Sequence, residues 1–151
     1  MIEHKLEKGL PPRLDLNREI ALHRFILDAA ANLLLASCHD LSEGGLALAL
    51  AESSLGPKPT GAAIDHLDLI PNKNALRNDA LYFGESQSRV IVSVKPDHKE
   101  AVIKAAQKQG VPISLIGKVV KGELAIGDRI HLEMDEIQSI YQNCIPKRMA
   151  Q

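Results

Sequence analysis

Two short segments of this 151-residue chain carry residue types that could bind a ligand. The first motif, residues 38–46, reads Cys-His-Asp-Leu-Ser-Glu-Gly-Gly-Leu, and the second motif, residues 82–89, reads Tyr-Phe-Gly-Glu-Ser-Gln-Ser-Arg. Each motif adjoins an apolar run that a rigid element would bury. Because binding groups tend to lie on loops held by such elements, these two motifs are the candidates for a site.

The first motif predicts an anion site at the start of a helix. Ser42 is a good N-cap, and Glu43, Gly44 and Gly45 would form a first turn whose backbone amides no bulky side chain covers. The helix dipole and these amides favour a phosphate, although the charge of Glu43 opposes it. The same pattern fits a second interpretation, in which the two glycines only allow close packing against a neighbouring element.

His39 and Asp40 in the first motif could orient a proton-transfer group or bind a metal. An adjacent pair without a third ligand is more typical of local hydrogen bonds. We therefore assign no catalytic residue and no metal ligand from the sequence.

The second motif places donors and acceptors at the start of an apolar strand. Its polar residues could complete an anion pocket beside the first motif, and the alternative is a solvated turn that satisfies local backbone groups. The residues concerned are Glu85, Ser86, Gln87 and Arg89.

Helices and strands alternate along the rest of the chain. Apolar spacing and capping signals predict four helices. The first begins after an N-cap at Asn17, and the second covers residues 43–55. The third runs from a capping box of Asp97 and Glu100 to Gly110, and the fourth runs from a capping box of Asp135 and Gln138 to just before Pro146. Strands are predicted over 61–65, 89–94, 113–119, 123–126 and 129–134, and two tight turns suggest that the last three form an antiparallel meander. The expected class is α+β, a mostly antiparallel sheet with packed helices, with residues 1–16 as an extended leading segment or linker and 17–151 as one domain.

Composition narrows the function. The net charge is -1 and the hydrophobic fraction is 45%, so neither nucleic acid nor an anionic membrane surface is an expected partner. No apolar run approaches the roughly 20 residues of a membrane span. These features predict a cytoplasmic location.

Both motifs resemble the paired signatures of the C-terminal domain of formylglycinamide ribonucleotide amidotransferase, the phosphoribosylformylglycinamidine synthase family. The resemblance extends over nearly the whole chain, because the Pro-Pro pair at 11–12, the Ile-Gly-Lys-Val run at 116–119 and the Ile-Pro-Lys-Arg-Met run at 145–149 also match in order. It implies the α+β fold of the aminoimidazole ribonucleotide synthetase C-terminal domains. Ser42-Glu43-Gly44-Gly45 and Gly84-Glu85-Ser86-Gln87-Ser88-Arg89 look like the second of the two copies in the synthetase, which lines a pseudo-symmetric auxiliary pocket.

The resemblance also implies a reaction. The family is a ligase of purine biosynthesis: ATP activates an amide oxygen of formylglycinamide ribonucleotide as an iminophosphate, and ammonia from a glutaminase displaces the phosphate. ATP and magnesium are held mainly by a separate N-terminal domain, of which this chain shows no counterpart. We therefore expect an incomplete enzyme whose partners are the remaining synthetase domains, a glutaminase and the ribonucleotide substrate, and which binds neither ATP nor magnesium alone.

Two alternatives stay open from the sequence. The chain could belong to another ATP-dependent synthetase or kinase of the same superfamily, or it could be a non-catalytic binding or scaffold module. A detached domain is also expected to expose an apolar patch and to form homodimers through it.

Overall fold

A computed structural model describes residues 12–56, 58–71, 74 and 76–150. The predicted leading segment 1–16 lies mostly outside the described residues, and the boundaries of the predicted domain stay a prediction. The helices are α1 Leu16–Ala31, α2 Gly45–Ser54, α3 Asn78–Phe83, α4 Lys99–Lys108 and α5 Met134–Met149. The strands are β1 Ser37–Asp40, β2 Gly61–Ile64, β3 Val90–Ser93, β4 Lys118–Val120, β5 Glu123–Ile126 and β6 Ile130–Glu133. No helix in the described ranges is long and apolar enough to cross a membrane.

Two sheets form, and they confirm the α+β class with mostly antiparallel pairing. β1 pairs with β3 in an antiparallel two-stranded sheet, and the larger sheet has the order β4-β2-β5-β6. In the larger sheet the pairs β2 with β4 and β5 with β6 are antiparallel, whereas β2 and β5 run parallel.

The predicted meander of the last three strands is confirmed for β5 and β6, which pair antiparallel, but it is wrong for β4 and β5, because β2 lies between them. The chain leaves β4 opposite Gly61 and passes around the first residue of β2 to begin β5. This crossing brings the backbones close together, since a Cβ atom at Gly61 would lie 1.8 Å from the carbonyl oxygen of Glu123. The short turn at Lys121 and Gly122 suggested a hairpin, but it carries the chain from β4 past the start of β2 to β5.

The predicted helix caps are also wrong in detail. Asp15, not Asn17, caps α1, and its carboxylate accepts hydrogen bonds from the backbone N–H groups of Asn17 and Arg18 at 3.0 and 3.2 Å. α4 and α5 have no side-chain cap, because α4 follows a 3-10 turn at Pro96–His98 and α5 begins directly after β6. α5 also continues through Pro146 to Met149, although the sequence predicted that it ends just before Pro146.

Two apolar clusters form the core. In the larger one, α2 packs on the four-stranded sheet through buried residues that include Leu46, Leu50, Leu124 and Ile126. In the smaller one, α1 packs on α4 through Leu22, Phe25, Ala29, Val102 and Ala106. β3 joins the two clusters, because alternate side chains of a strand point to opposite faces: Val90 contacts the smaller cluster and Ile91 contacts the larger one. The two-stranded sheet is therefore fixed on both sides.

Candidate functional site

The pairing of β1 with β3 brings the two motifs together. In this antiparallel pair Asp40 at the end of β1 lies opposite Val90 at the start of β3, and the N–H of Leu41 donates to the carbonyl oxygen of Arg89 at 3.2 Å. The loop that follows β1 and the loop that precedes β3 therefore leave the sheet side by side. Residues more than 40 positions apart in the chain share one surface for this reason.

The start of α2 differs from the sequence prediction. Gly44 is the N-cap, with φ of 65°, and the helix begins at Gly45, with φ of 59°. Ser42 does not cap the helix; its hydroxyl donates a hydrogen bond to the Asp40 carboxylate, and this bond is the main reason that the pKa of Asp40 is lowered. The glycines are thus not the second and third helical residues, because the chain needs two consecutive left-handed conformations to enter the helix.

A carboxylate of the second motif lies at this helix start. Oε1 of Glu85 accepts a hydrogen bond of 2.8 Å from the backbone N–H of Gly44. The partial positive charge of a helix N-terminus favours an anion there, and the side chain of Glu85 supplies one. The expectation that the amides of this turn are unpaired is therefore wrong for Gly44.

Gly45 is required for close packing. A Cβ atom at this position would lie 2.7 Å from the carbonyl oxygen of Gly84 and 2.7 Å from the carbonyl carbon of Phe83. The start of α2 therefore packs directly on the end of α3, backbone against backbone. This geometry supports the packing interpretation of the glycine pair that the sequence left open.

Arg89 holds the second motif in shape. One guanidinium nitrogen, Nη1, donates to the carbonyl oxygen of Gly84 at 3.3 Å and is 3.2 Å from Oγ of Ser86. The side chain is half-buried, and burial lowers the pKa of its guanidinium. Arg89 thus folds back over its own loop, while Glu85 and Gln87 are exposed on the surface that the loop presents.

One further contact, which no sequence signal indicated, fixes the second motif to α1. Ser88 adopts φ of 59°, and its hydroxyl donates to Oε2 of Glu19. The other carboxylate oxygen of Glu19 lies 3.0 Å from Nε2 of His23, one turn along α1. Nothing in the spacing of Glu19 and Ser88, which are 69 positions apart, predicts this contact.

Comparison with known proteins identifies the domain. A sequence model of the family described as AIR synthase related protein, C-terminal domain, matches residues 2–128. The chain belongs to this family. The individual relatives that match are much longer than this chain.

The relatives are phosphoribosylformylglycinamidine synthase subunits PurL. The protein from Thermobifida fusca is 40% identical over 143 residues, which cover 91% of this chain and 17% of the relative. The protein from Moorella thermoacetica is 36% identical over 151 residues, which cover 97% of this chain and 20% of the relative. This AIR synthase related domain therefore spans about a fifth of the length of the curated relatives that it matches.

Solved structures of Thermotoga maritima PurL share the fold. The complex with ATP superposes with a TM-score of 0.71 at 20% identity, over 87% of this chain and 23% of the other. The complex with FGAR gives a TM-score of 0.66 at 19% identity, over 78% of this chain and 20% of the other. At this identity the likeness establishes the fold of the AIR synthase related domain.

His39 of this AIR synthase related domain makes the local contacts that its position next to Asp40 suggested. Its Nδ1 lies 2.7 Å from the carbonyl oxygen of Asp40, and its Nε2 lies 3.3 Å from Oε2 of Glu52 on α2. Within the described ranges no three His, Cys, Asp or Glu side chains are grouped to hold a metal. His39 therefore joins β1 to α2 through hydrogen bonds.

Proposed function

We propose that this chain is the C-terminal domain of a phosphoribosylformylglycinamidine synthase. The parent enzyme would convert formylglycinamide ribonucleotide, glutamine-derived ammonia and ATP to formylglycinamidine ribonucleotide in purine biosynthesis. Support comes from the relatives, which carry that name at 36 to 40% identity, and from the small share of their length that the chain matches. The single observation that carries the proposal is the 40% identity to the Thermobifida fusca synthase subunit over 91% of this chain.

Within that enzyme, we assign the two motifs to one wall of a ligand pocket. The wall consists of Ser42, Glu43, Gly44 and Gly45 from the first motif and of Glu85, Ser86, Gln87 and Arg89 from the second. The contact between Gly44 and Glu85 supports this assignment, because both motifs meet at one exposed helix start. A phosphate that binds there must displace the Glu85 carboxylate from the Gly44 amide, so Glu85 lowers the affinity of the isolated domain for anions.

The phosphoryl donor belongs to the rest of the parent in this proposal. ATP with magnesium would supply the activating phosphoryl group, and the resemblance attributes its binding to the N-terminal domain. The described residues offer magnesium no group of three potential ligands, so we assign it no ligand in this domain. The domain's own residues would position a ligand phosphate and help to exclude water when the other domain closes over the motifs.

The proposed partners follow from the same assignment. They are the remaining domains of the synthase, a glutaminase and the ribonucleotide substrate. A Thermotoga maritima structure named PurLQS superposes on this chain with a TM-score of 0.69. Its name supports a synthase that works in an assembly. For the isolated domain we also propose homodimers, because α5 leaves large apolar side chains exposed, among them Ile140, Tyr141, Ile145 and Met149.

A domain exchange tests the proposed function. Residues 12–150 replace the matching segment of the Thermobifida fusca relative, and formation of ADP and amidine is measured with formylglycinamide ribonucleotide, ATP, magnesium and ammonium. The expected result is turnover by the chimera and none by the isolated chain. A folded chimera without turnover would contradict the proposal, and turnover by the isolated chain would contradict its assignment as an incomplete enzyme. The relative without its own segment serves as the inactive control.

A further inference from the structure

A cavity lies at the carboxyl ends of the parallel strands β2 and β5, and Tyr82, the first residue of the second motif, is the one motif residue that lines it. Its volume is about 310 Å³. The segment after β2 contributes Asp65 and Leu67, the segment after β5 contributes residues 127–129, and α3 contributes Leu81 and Tyr82. The carboxyl ends of neighbouring parallel strands share one edge of a sheet, and this edge is where ligands bind in many α/β proteins. No residue of Ser42 to Gly45 or of Glu85 to Arg89 lines this cavity.

The floor of the cavity is apolar except for one hydroxyl. Leu67, Leu81 and Tyr82 are only 8%, 3% and 6% exposed. Oη of Tyr82 would be 3.5 Å from a Cβ atom at Gly127, so it lies beneath the turn that lines the cavity, and the missing side chain leaves space beside it. Across the described ranges this hydroxyl makes no hydrogen bond, and no buried side-chain polar atom there lacks a partner, so its oxygen is open to the cavity although the ring is buried.

The rim of the cavity carries an excess of negative charge. Three aspartates line it, Asp65, Asp68 and Asp128, and Arg129 is the basic residue among its lining. Nε of Arg129 lies 3.9 Å from Oδ1 of Asp128, so these two charges offset each other. Asp65 and Asp68 form no ion pair within the part of the chain that the structure describes. Two uncompensated carboxylates therefore stand above an apolar floor.

The shape of this charge distribution indicates the class of ligand. The three aspartates do not form a metal-binding group, since no three potential metal ligands are grouped in the described ranges. An organic ammonium with an alkyl chain matches two carboxylates above an apolar floor better than a metal ion does.

We propose that this cavity binds an alkylammonium group. The ammonium interacts with Asp65 and Asp68 and donates a hydrogen bond to Oη of Tyr82, and the alkyl chain lies on Leu67 and Leu81. A free diamine and a lysine side chain share this chemistry, so the experiment includes both.

Titration of the full chain with three small probes tests the proposal. The probes are 1,4-diaminobutane, N-acetyl-lysinamide and the uncharged 1,4-butanediol, and the readout is the movement of backbone amide signals in two-dimensional NMR. The expected result is saturable movement at Leu67, Tyr82 and Gly127 with one or both amines and none with the diol. Binding of the diamine alone supports a free amine as ligand, and comparable binding of the lysine derivative supports a peptide side chain. Equal movement with the diol, or none with either amine, overturns the proposal.

Three variants add matched controls. Tyr82→Phe should weaken amine binding by roughly fivefold or more, the factor expected for one lost hydrogen bond, and Asp68→Asn should also weaken it. Tyr141→Phe should bind as the parent chain does, because Tyr141 is 62% exposed on α5 and does not line the cavity. The chain has two tyrosines and no tryptophan, so in Tyr141→Phe the intrinsic fluorescence comes from Tyr82 and reports binding directly. Unchanged affinity in both Tyr82→Phe and Asp68→Asn refutes the site, and Asp68→Asn decides alone if Tyr82→Phe does not fold.

Discussion

The backbone N–H of Gly44 donates a 2.8 Å hydrogen bond to Oε1 of Glu85, 41 positions further along the chain. This bond places a carboxylate of the second motif at the positive end of α2. It satisfies an amide that the helix itself cannot pair, and it fills the position that a ligand anion would take. The predictions on anion binding and on packing both follow from this contact.

Replacing Glu85 with glutamine should improve anion binding. The amide side chain can still accept the hydrogen bond from Gly44, but its negative charge is gone. We expect inorganic phosphate to bind about two- to fivefold more tightly, the range that corresponds to a charge at a helix terminus, with the largest amide shift at Gly44. NMR titration measures this affinity. Glu43→Gln removes a charge from the same turn without removing the bond to Gly44, and an equal gain in that variant would assign the effect to net charge alone.

Gly45→Ala should destabilise the domain. Alanine must adopt a left-handed φ of 59° and place its Cβ 2.7 Å from the Gly84 carbonyl oxygen. The conformation alone costs about 1–2 kcal/mol, and the overlap adds to it. Urea denaturation measures the free energy of unfolding. The control is Gly56→Ala, where a Cβ meets nothing within 4 Å, and equal stability of the two variants would contradict the packing role of Gly45.

Ser42→Ala should raise the pKa of Asp40. The hydrogen bond from Ser42 is the main cause of the lowered pKa of that carboxyl, and the bond stabilises its charged form. Without the hydroxyl, Asp40 should protonate at a higher pH on acidification. Carbon-detected NMR titration of the carboxyl group follows this change. Ser86→Ala should leave the pKa of Asp40 unchanged, because Ser86 contacts Arg89 instead.

Ile145→Lys should reduce self-association of the isolated chain. Ile145 is 66% exposed on the part of α5 that extends beyond the core, and burial of its side chain against a second copy would favour a dimer. Sedimentation velocity over a range of concentrations measures the dimer fraction. Leu27→Lys alters a side chain of similar exposure, 69%, on α1 and should have little effect. A chain that remains monomeric at high concentration would show that the exposed apolar residues do not drive association.

The sequence predicted the components of the candidate site better than their arrangement. Apolar periodicity located α1, α2, α4 and α5 and most strands, because that signal depends on neighbouring residues. The cap of α2 was assigned to Ser42 because Ser is a frequent N-cap, but the bond to Asp40 and the packing of Gly45 on Gly84 compete with that role. Tertiary contacts of this kind connect distant segments and leave no local pattern.

The order of the larger sheet was not predictable for the same reason. Turn residues after β4 indicated a hairpin, and hairpins are the commonest way to join strands across so short a turn. The insertion of β2 between β4 and β5 depends on a segment that precedes them by the whole of α3, β3 and α4. Only the close approach that Gly61 permits makes the crossing sterically allowed, and a glycine in a strand does not identify its neighbour.

The position of β2 in the sheet determines when this strand can pair during synthesis on a ribosome. Both edges of β2 stay unpaired until the segment with β4 and β5 has emerged, because those strands are its neighbours on either side. The nascent chain must therefore carry an apolar strand without partners through the synthesis of α3, β3 and α4. Contacts between such distant segments make the folding transition slow, and an exposed strand can associate with other chains in the meantime. This domain is thus expected to depend on chaperones in the cell more than a helical domain of similar size.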